Sequence, residues 1–222
     1  DAHAKGYLTA PKDADIPGYP WDFPAKFINP DSGAAGLLIQ VAGIAYNTDL
    51  VSEQDVPKKW TDLLDPKWQG KIGIADPSNF VSYDAEWVVL EDAFGPDFLT
   101  NLGKQKLKLY QGGAPTVAAV GSGEVALGAA QLKAAITPVK DAGGPIAITV
   151  PEGPATGIVS SLMIATKASH PNAAKLFTAY AMSQDGAGIP ADVSNSLSPY
   201  DTDNLPSTFV EADYVRGAQD QQ

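Results

Sequence analysis

A short β-rich run, Lys71 to Ala75, stops at Asp76-Pro77-Ser78-Asn79 and gives way to a helical pattern lasting from Phe80 to Phe94. A chain that turns straight from strand into helix at a Ser/Asn pair is building an open α/β sheet, and no other stretch constrains the fold as much. The corner also has chemistry. The first N–H groups of a helix lack intrahelical partners and its dipole is positive there, so a carboxylate or phosphate can bind without any basic side chain. A second corner follows. Leu107 to Tyr110 alternates like a strand and runs into Gln111-Gly112-Gly113-Ala114-Pro115-Thr116, where the glycines permit close backbone approach and Pro115 suits a first helical turn. On these residues alone the corners are either two ordinary capped helices or two helix N-termini converging on one anion.

Tyr46-Asn47-Thr48, Pro57, Trp60 with Asp62-Leu63-Leu64-Asp65-Pro66, and Trp68 with Gly70-Lys71-Ile72 surround the first corner. Gly123-Glu124, then Gly143-Gly144-Pro145 with Val150-Pro151-Glu152-Gly153, then His170-Pro171-Asn172-Ala173-Ala174-Lys175-Leu176-Phe177 follow in order. Each is weak alone. As an ordered series across about three quarters of the chain, they resemble the solute-binding proteins of ATP-driven importers, in the group that includes ferric-ion and phosphorylated-solute binders.

The resemblance implies a two-lobed α/β fold of the type 2 periplasmic-binding class. Asp1 follows no Met and no signal segment, so the expectation is a processed or partial chain whose first lobe lacks an N-terminal strand–helix–strand portion. The implied organisation is residues 1–45 in lobe 1, 46–152 in lobe 2, 153–195 returning to lobe 1, and 196–222 as a tail docking on lobe 2. The implied activity is capture of a small anionic solute, phosphorylated, phosphonate or carboxylate, for delivery to a membrane permease. The compartment is the periplasm, or the outer face of a Gram-positive cell with a membrane tether. Ser78, Asn79, Gly113 and Thr116 are the expected contacts, through backbone amides and hydroxyls. Tyr46, at the crossing between lobes, either lines the cleft or fills the hinge. Thr156 and Ser160, near the return, either touch the ligand or satisfy local backbone groups. Two other readings share the fold: a ferric-ion carrier without tyrosine ligands, and a ligand sensor with no transport role.

Composition removes other classes. A net charge of −11 with Arg216 as the only arginine leaves no basic stripe for nucleic acid or anionic membrane surfaces. No apolar run approaches the roughly eighteen residues needed to cross a bilayer, so no direct membrane insertion is expected. An enzyme is not expected either. There is no cysteine, no G-x-S-x-G elbow, and His3 and His170 are the only histidines, neither paired with a nucleophile. No metal and no cofactor are expected. The ferric branch of the family carries two adjacent tyrosines soon after Gly123-Glu124, but here that stretch is Leu127-Gly128-Ala129-Ala130-Gln131-Leu132. Asp201-Thr202-Asp203-Asn204 begins like a calcium loop but lacks its glycine and final glutamate. Gly121-Ser122-Gly123-Glu124-Val125-Ala126, with Asp141 twenty residues on, matches a dinucleotide fingerprint by accident, because it continues a helix instead of following a buried strand.

The remaining elements read in order. Five prolines among five aromatics keep residues 1–35 extended. Leu37 to Ala45 is a buried strand, and Pro57 to Asp65 a short helix with Trp60 and Trp68 as packing residues. The helix from Phe80 turns Val81, Ala85, Val88, Val89 and Phe94 inward and stops at Gly95-Pro96, after which Asp97 caps the next helix. Val125 to Leu127, Ile146 to Val150 and Ile158 to Thr166 are strands. Asn172 to Met182 is an amphipathic helix with Ala173, Leu176, Phe177 and Tyr180 inward, and the polar tail from Asp192 forms loops and one last helix.

Overall fold

In the computed structural model the described residues are 5–211 apart from Pro17, Pro20, Trp21, Phe80, Thr202 and Asn204. In chain order the strands are β1 (Leu8–Thr9), β2 (Ala35–Asn47), β3 (Ile72–Ala75), β4 (Lys108–Tyr110), β5 (Leu127–Leu132), β6 (Ile146–Thr149), β7 (Ala155–Leu162), β8 (Ile164–Ala165) and β9 (Phe209–Glu211). The helices are α1 (Val81–Phe94), α2 (Pro96–Gly103), α3 (Gly113–Gly121), α4 (Lys133–Asp141), α5 (Pro171–Ala181) and α6 (Gln184–Ser194). The chain divides into two units. Unit 1 takes the described residues of Asp1–Ile39 and Val159–Leu205, and unit 2 those of Gln40–Ile158 and Pro206–Gln222. The divisions between Ile39 and Gln40 and between Ile158 and Val159 fall inside β2 and β7.

Unit 2 is built around β3. All four of its residues are buried, as a parallel strand covered on both faces requires. It pairs in parallel with β4, Ile74 opposite Leu109, and with β5, Ile72 opposite Leu127. Beyond β5 the sheet turns antiparallel: β2 pairs with β5 from Ala42 opposite Leu132 to Tyr46 opposite Leu127, and β6 pairs with β2 from Ile44 opposite Thr149 to Asn47 opposite Ile146. The core joins Ile44, Trp60, Leu63, Ile72, Leu90 and Leu127, all fully buried. Each such side chain contributes about 1.5–3 kcal/mol through burial. Asn47, also buried, sends its amide N–H to the Val120 carbonyl (2.8 Å) and receives the Asp49 N–H (2.9 Å) on its carbonyl, pinning the turn after β2.

Two ties close this unit. Trp60 Nε1 donates to the Pro154 carbonyl at 3.0 Å, and the Glu152 N–H donates to the Lys58 carbonyl at 2.7 Å. β7 passes close to β2 at Gly157, where a Cβ would stand 2.0 Å from the Gln40 carbonyl oxygen, so only glycine fits. β9 then pairs in parallel with β7, Ala155 opposite Phe209.

Several local expectations change. The helix expected at Pro57 to Asp65 is a pair of 3-10 turns, Trp60–Leu64 and Pro66–Trp68. Asp62 Oδ2 accepts both the Lys58 and Lys59 N–H groups, and Pro66 forces Asp65 into an extended conformation, so the winding breaks there. Trp60 and Trp68 are buried as packing residues. Asp97 is not a cap. Gly95 holds the N-cap position of α2 at φ +80, a region open to glycine, and Asp97 sits in the first turn. The inward face of α1 includes Val89 and Leu90, while Phe80 and the side chains of Val81 and Ala85 lie outside the described residues. β5 starts at Leu127 instead of ending there, and α3 runs to Gly121, so the Gly121-Ser122-Gly123 run follows a helix and not a strand. α4 is unforeseen.

Unit 1 pairs β1 with β8 antiparallel, Leu8 opposite Ala165, with the Thr9 and Thr166 hydroxyls 3.1 Å apart. Its buried cluster is Phe23, Ala35, Leu37, Ala181 and Met182, with the Tyr200 ring edge-on to Phe23 at 5.8 Å. His170 holds the N-cap position of α5, as expected of a helix-entry residue, but the faces of the helix are reversed. Thr178 and Ala181 are buried, whereas Ala173, Leu176, Phe177 and Tyr180 are exposed. The Ser183 hydroxyl caps the unforeseen α6 by accepting the Gly186 N–H at 3.1 Å, and α6 ends at Asn195 in the left-handed region. In the tail, where loops and one last helix are expected, the described residues hold the strand β9, while Thr202, Asn204 and the residues after Glu211, Val215 among them, lie outside the described residues.

Candidate functional site

Parallel pairing sets the C-terminal ends of β3 and β4 side by side, so the loops that follow them meet. The Asp76 N–H donates to the Tyr110 carbonyl at 2.8 Å, and Asn79 Nδ2 donates to the Gln111 carbonyl at 3.1 Å. The two strand-to-helix corners foreseen from sequence are therefore neighbours in unit 2, one leading into α1 and the other into α3.

Their electrostatics differ. Asp76 Oδ1 accepts the Ser78 hydroxyl at 2.7 Å and the Ser78 N–H at 2.9 Å, an Asx turn that holds the Asp76 carboxyl below the usual carboxylate range. Ser78 thus faces its own carboxylate. At the second corner Gly112 is the N-cap of α3 and, as a glycine, supplies no side-chain bond of its own to that helix end. Gly113 is the first residue of the helix. Thr116 lies one turn further in, fully buried, its hydroxyl donated to the Gly112 carbonyl at 2.8 Å. It therefore holds the first turn in place and offers no free hydroxyl.

The other candidates stand on other elements. Tyr46 stands half-buried on β2, packed against the main core beside Leu127. Thr156 is fully buried on β7, and its hydroxyl has no hydrogen-bond partner among the described residues. Ser160 is exposed on the part of β7 that belongs to unit 1, in a groove with Leu37 and Leu38. Among the described residues no three His, Cys, Asp or Glu side chains gather as a metal site.

Two features escaped the sequence reading. Asp76 is the acceptor that organises the first corner, and the Asp-Pro-Ser-Asn run carries the signature of an Asx turn. Glu86, on α1, is 1% exposed, borders a small void with Ala75, Trp87, Ala129 and Ala130, and its Oε2 has no partner among the described residues. Burial pushes its carboxyl up to about 8. Ala130 itself has φ +54, where the pairing of β5 with β2 shifts register. The only sequence signal for Glu86 is its place one turn before Leu90 on the same helix face.

The sequence pattern of the bacterial extracellular solute-binding protein family matches residues 1–216. An uncharacterized protein of Haemophilus influenzae is 28% identical over 174 residues, 73% of this chain and 49% of its own length. The chain thus spans about half the length of that curated relative. Among solved structures, the substrate-binding protein of an ABC transporter from Agrobacterium tumefaciens superposes with a TM-score of 0.78 at 15% identity, covering 95% of this chain and 66% of that one. The periplasmic binding protein AfuA of Actinobacillus pleuropneumoniae, with exogenous fructose-6-phosphate bound, gives 0.67 at 21% identity, covering 95% and 68%. At such identities these structures show the fold, the α/β type 2 periplasmic-binding class. No helix among the described residues is long and apolar enough to cross a membrane. With its family pattern matched almost end to end, the chain belongs to the bacterial extracellular solute-binding proteins.

Proposed function

We propose that this chain forms part of an extracytoplasmic receptor that captures a small anionic solute at the joined β3–α1 and β4–α3 corners and delivers it to the permease of an ABC importer. The observation that carries the reading is the adjacency of the two corners, tied through Asn79 and Gln111, with α3 opening on a glycine cap. Backbone N–H groups at a helix N-terminus bind phosphate or carboxylate without a cationic side chain, which suits a chain with net charge −11 and one arginine. The fructose-6-phosphate held by AfuA belongs to the same chemical class. Asp76 refines the picture. Its carboxylate already occupies the first corner, so the anionic group belongs at the α3 side, and Ser78 and Asn79 shape the neighbouring wall. Capture outside the cytoplasm follows from the family.

A thermal-shift titration with fructose-6-phosphate, inorganic phosphate, a phosphonate, a carboxylate and ferric ion tests this reading. A ligand at a hundred times its Kd stabilises the bound fold by about 2.7 kcal/mol. Phosphorylated or carboxylate probes should raise the midpoint, and Asn79→Ala should reduce the rise without lowering the midpoint of the free chain by more than a degree or so. Stabilisation by ferric ion alone, or an Asn79→Ala variant that responds as the parent does, refutes it.

A further inference from the structure

The void that Glu86 borders is closed on one side by Ala75, the last residue of β3 before Asp76 opens the first corner. Ala129 and Ala130 of β5 face it as well. Alanine methyls offer no hydrogen bond, the void is too small to admit a water molecule, and Oε2 has no partner among the described residues. Ala130 adds a second unfavourable feature. It stands at φ +54, a left-handed conformation that a residue with a Cβ adopts at a cost, where β5 shifts register against β2. Strain of this kind persists only where the surrounding packing enforces it, and here that packing is α1 against β5. An orphaned acid and a strained backbone thus meet at one void, directly behind the corner.

A neutral carboxyl tolerates an apolar void, whereas an ionised one without a partner must reach water. No cation is placed to hold it among the described residues. β3 and β5 carry no ionisable side chain, and Lys133, three residues beyond Ala130, is exposed at the start of α4. On the helical side, α2 brings only Asp97, which is exposed, α1 itself continues with Glu91 and Asp92, and the side chains of Tyr83 and Asp84 lie outside the described residues. The Asp76 carboxylate is engaged by Ser78. Burial alone raises the titration of Glu86. We propose that Glu86 is a proton-operated latch on the first corner: protonated, it lets α1 seat against β3 and β5; ionised, it draws toward water and carries the start of α1, and with it the Asn79–Gln111 tie, out of place. A packed helix shifts as a unit, and Glu86 lies only about 7.5 Å of helical rise from Val81. The corner is therefore closed below the folded titration point of about 8 and opens above it. Loss of solute capture at high pH is a further consequence that rests on the solute reading; the latch does not.

Hydrogen exchange across the first corner and α1, at about pH 7 and about pH 9 and corrected for the intrinsic rise with pH, reads the latch directly. At the higher pH that stretch should exchange at least about tenfold faster than the correction allows in the parent but not in Glu86→Gln, with α6 of unit 1 unchanged in both. Equal behaviour of parent and variant overturns the proposal, and so does a rise shared by α6, which marks general loosening. The parent alone supplies a second reading. Its exchange step must follow the Glu86 carboxyl-carbon resonance through titration, and a resonance that titrates while exchange stays flat overturns the latch. Fructose-6-phosphate, doubly ionised across this range, then probes capture. Its affinity should be about tenfold weaker at about pH 9 than at about pH 7 in the parent, as the closed fraction falls, and level in the variant. Binding that ignores pH in the parent overturns the coupling of the latch to the corner. An exchange step without binding at any pH, in either protein, supports the latch and refutes the solute reading.

Discussion

Replacing Glu86 by glutamine should steady unit 2 at neutral pH and remove most of its alkaline sensitivity. Glu86 is 1% exposed, and its carboxyl titrates at about 8 in the folded chain against an ordinary 4.5. Between those values the unfolded chain has lost the proton and the folded chain keeps it, so folding binds a proton. Stability is therefore fully present below pH 4.5 and declines by about 1.4 kcal/mol per pH unit until the folded carboxyl itself ionises near pH 8. At pH 7 the accumulated loss is about 3 kcal/mol. Glutamine cannot ionise, but it places an amide where Oε2 finds no partner, which costs about 1–3 kcal/mol at every pH. The parent should thus be the more stable at pH 5, the variant the more stable at pH 7.5, with a crossing between. Urea unfolding followed by tryptophan fluorescence measures this directly, because Trp60, Trp68 and Trp87 all lie in the core of unit 2. Parallel stability curves for parent and Glu86→Gln from pH 5 to 8 refute the assignment of a buried, protonated carboxyl.

Three further outcomes follow from packing and charge. Gly157→Ala places a methyl 2.0 Å from the Gln40 carbonyl and should cost about 1–3 kcal/mol or more as β7 moves off β2, read from the urea midpoint. Trp60→Phe removes the Nε1 bond to Pro154 along with part of a fully buried ring, and should cost about 2–4 kcal/mol in the same assay. Asp76→Asn removes a carboxyl held low by Ser78; its stabilising effect is present above the ordinary value of 3.8 and is lost as pH falls through the lowered one. The acid limb of the stability curve should therefore flatten in this variant, and an unchanged acid limb contradicts the role given to the Asx turn.

Legibility in the sequence followed the locality of the cause. β3 and the two corners were readable because an unbroken apolar strand and a Pro-Ser-Asn stop are local facts, and parallel pairing then brings the corners together. Trp60 and Trp68 were readable as packing from size alone. The Asn47 clamp was hidden in a Tyr-Asn-Thr run whose partner, the Val120 carbonyl, is far along the chain. α6 escaped notice because Gly186, Gly188 and Pro190 argue against a helix, and the Ser183 cap and burial of Ala187 and Ala191 override them. The α5 stripe was found correctly and placed on the wrong side, since periodicity identifies a face without identifying what meets it. At the site, the resemblance implied Ser78 and Thr116 as contacts through amides and hydroxyls, but both hydroxyls are already bonded, to Asp76 and to Gly112, and no linear pattern distinguishes a free donor from a committed one.

The tie from Trp60 to Pro154 has a consequence for the order in which unit 2 assembles. β3, β4 and β5 come together within a stretch of some sixty residues, so that sheet forms from contacts that are near in sequence. Closing the 94-residue loop between Trp60 and Pro154 costs about 4 kcal/mol in chain entropy before any contact repays it. β9 must also arrive beside β7. On a ribosome adding about 5–20 residues per second, β3, β4 and β5 are made about 4–15 s before β9, and the Trp60 indole gains its partner only once Pro154 has been added.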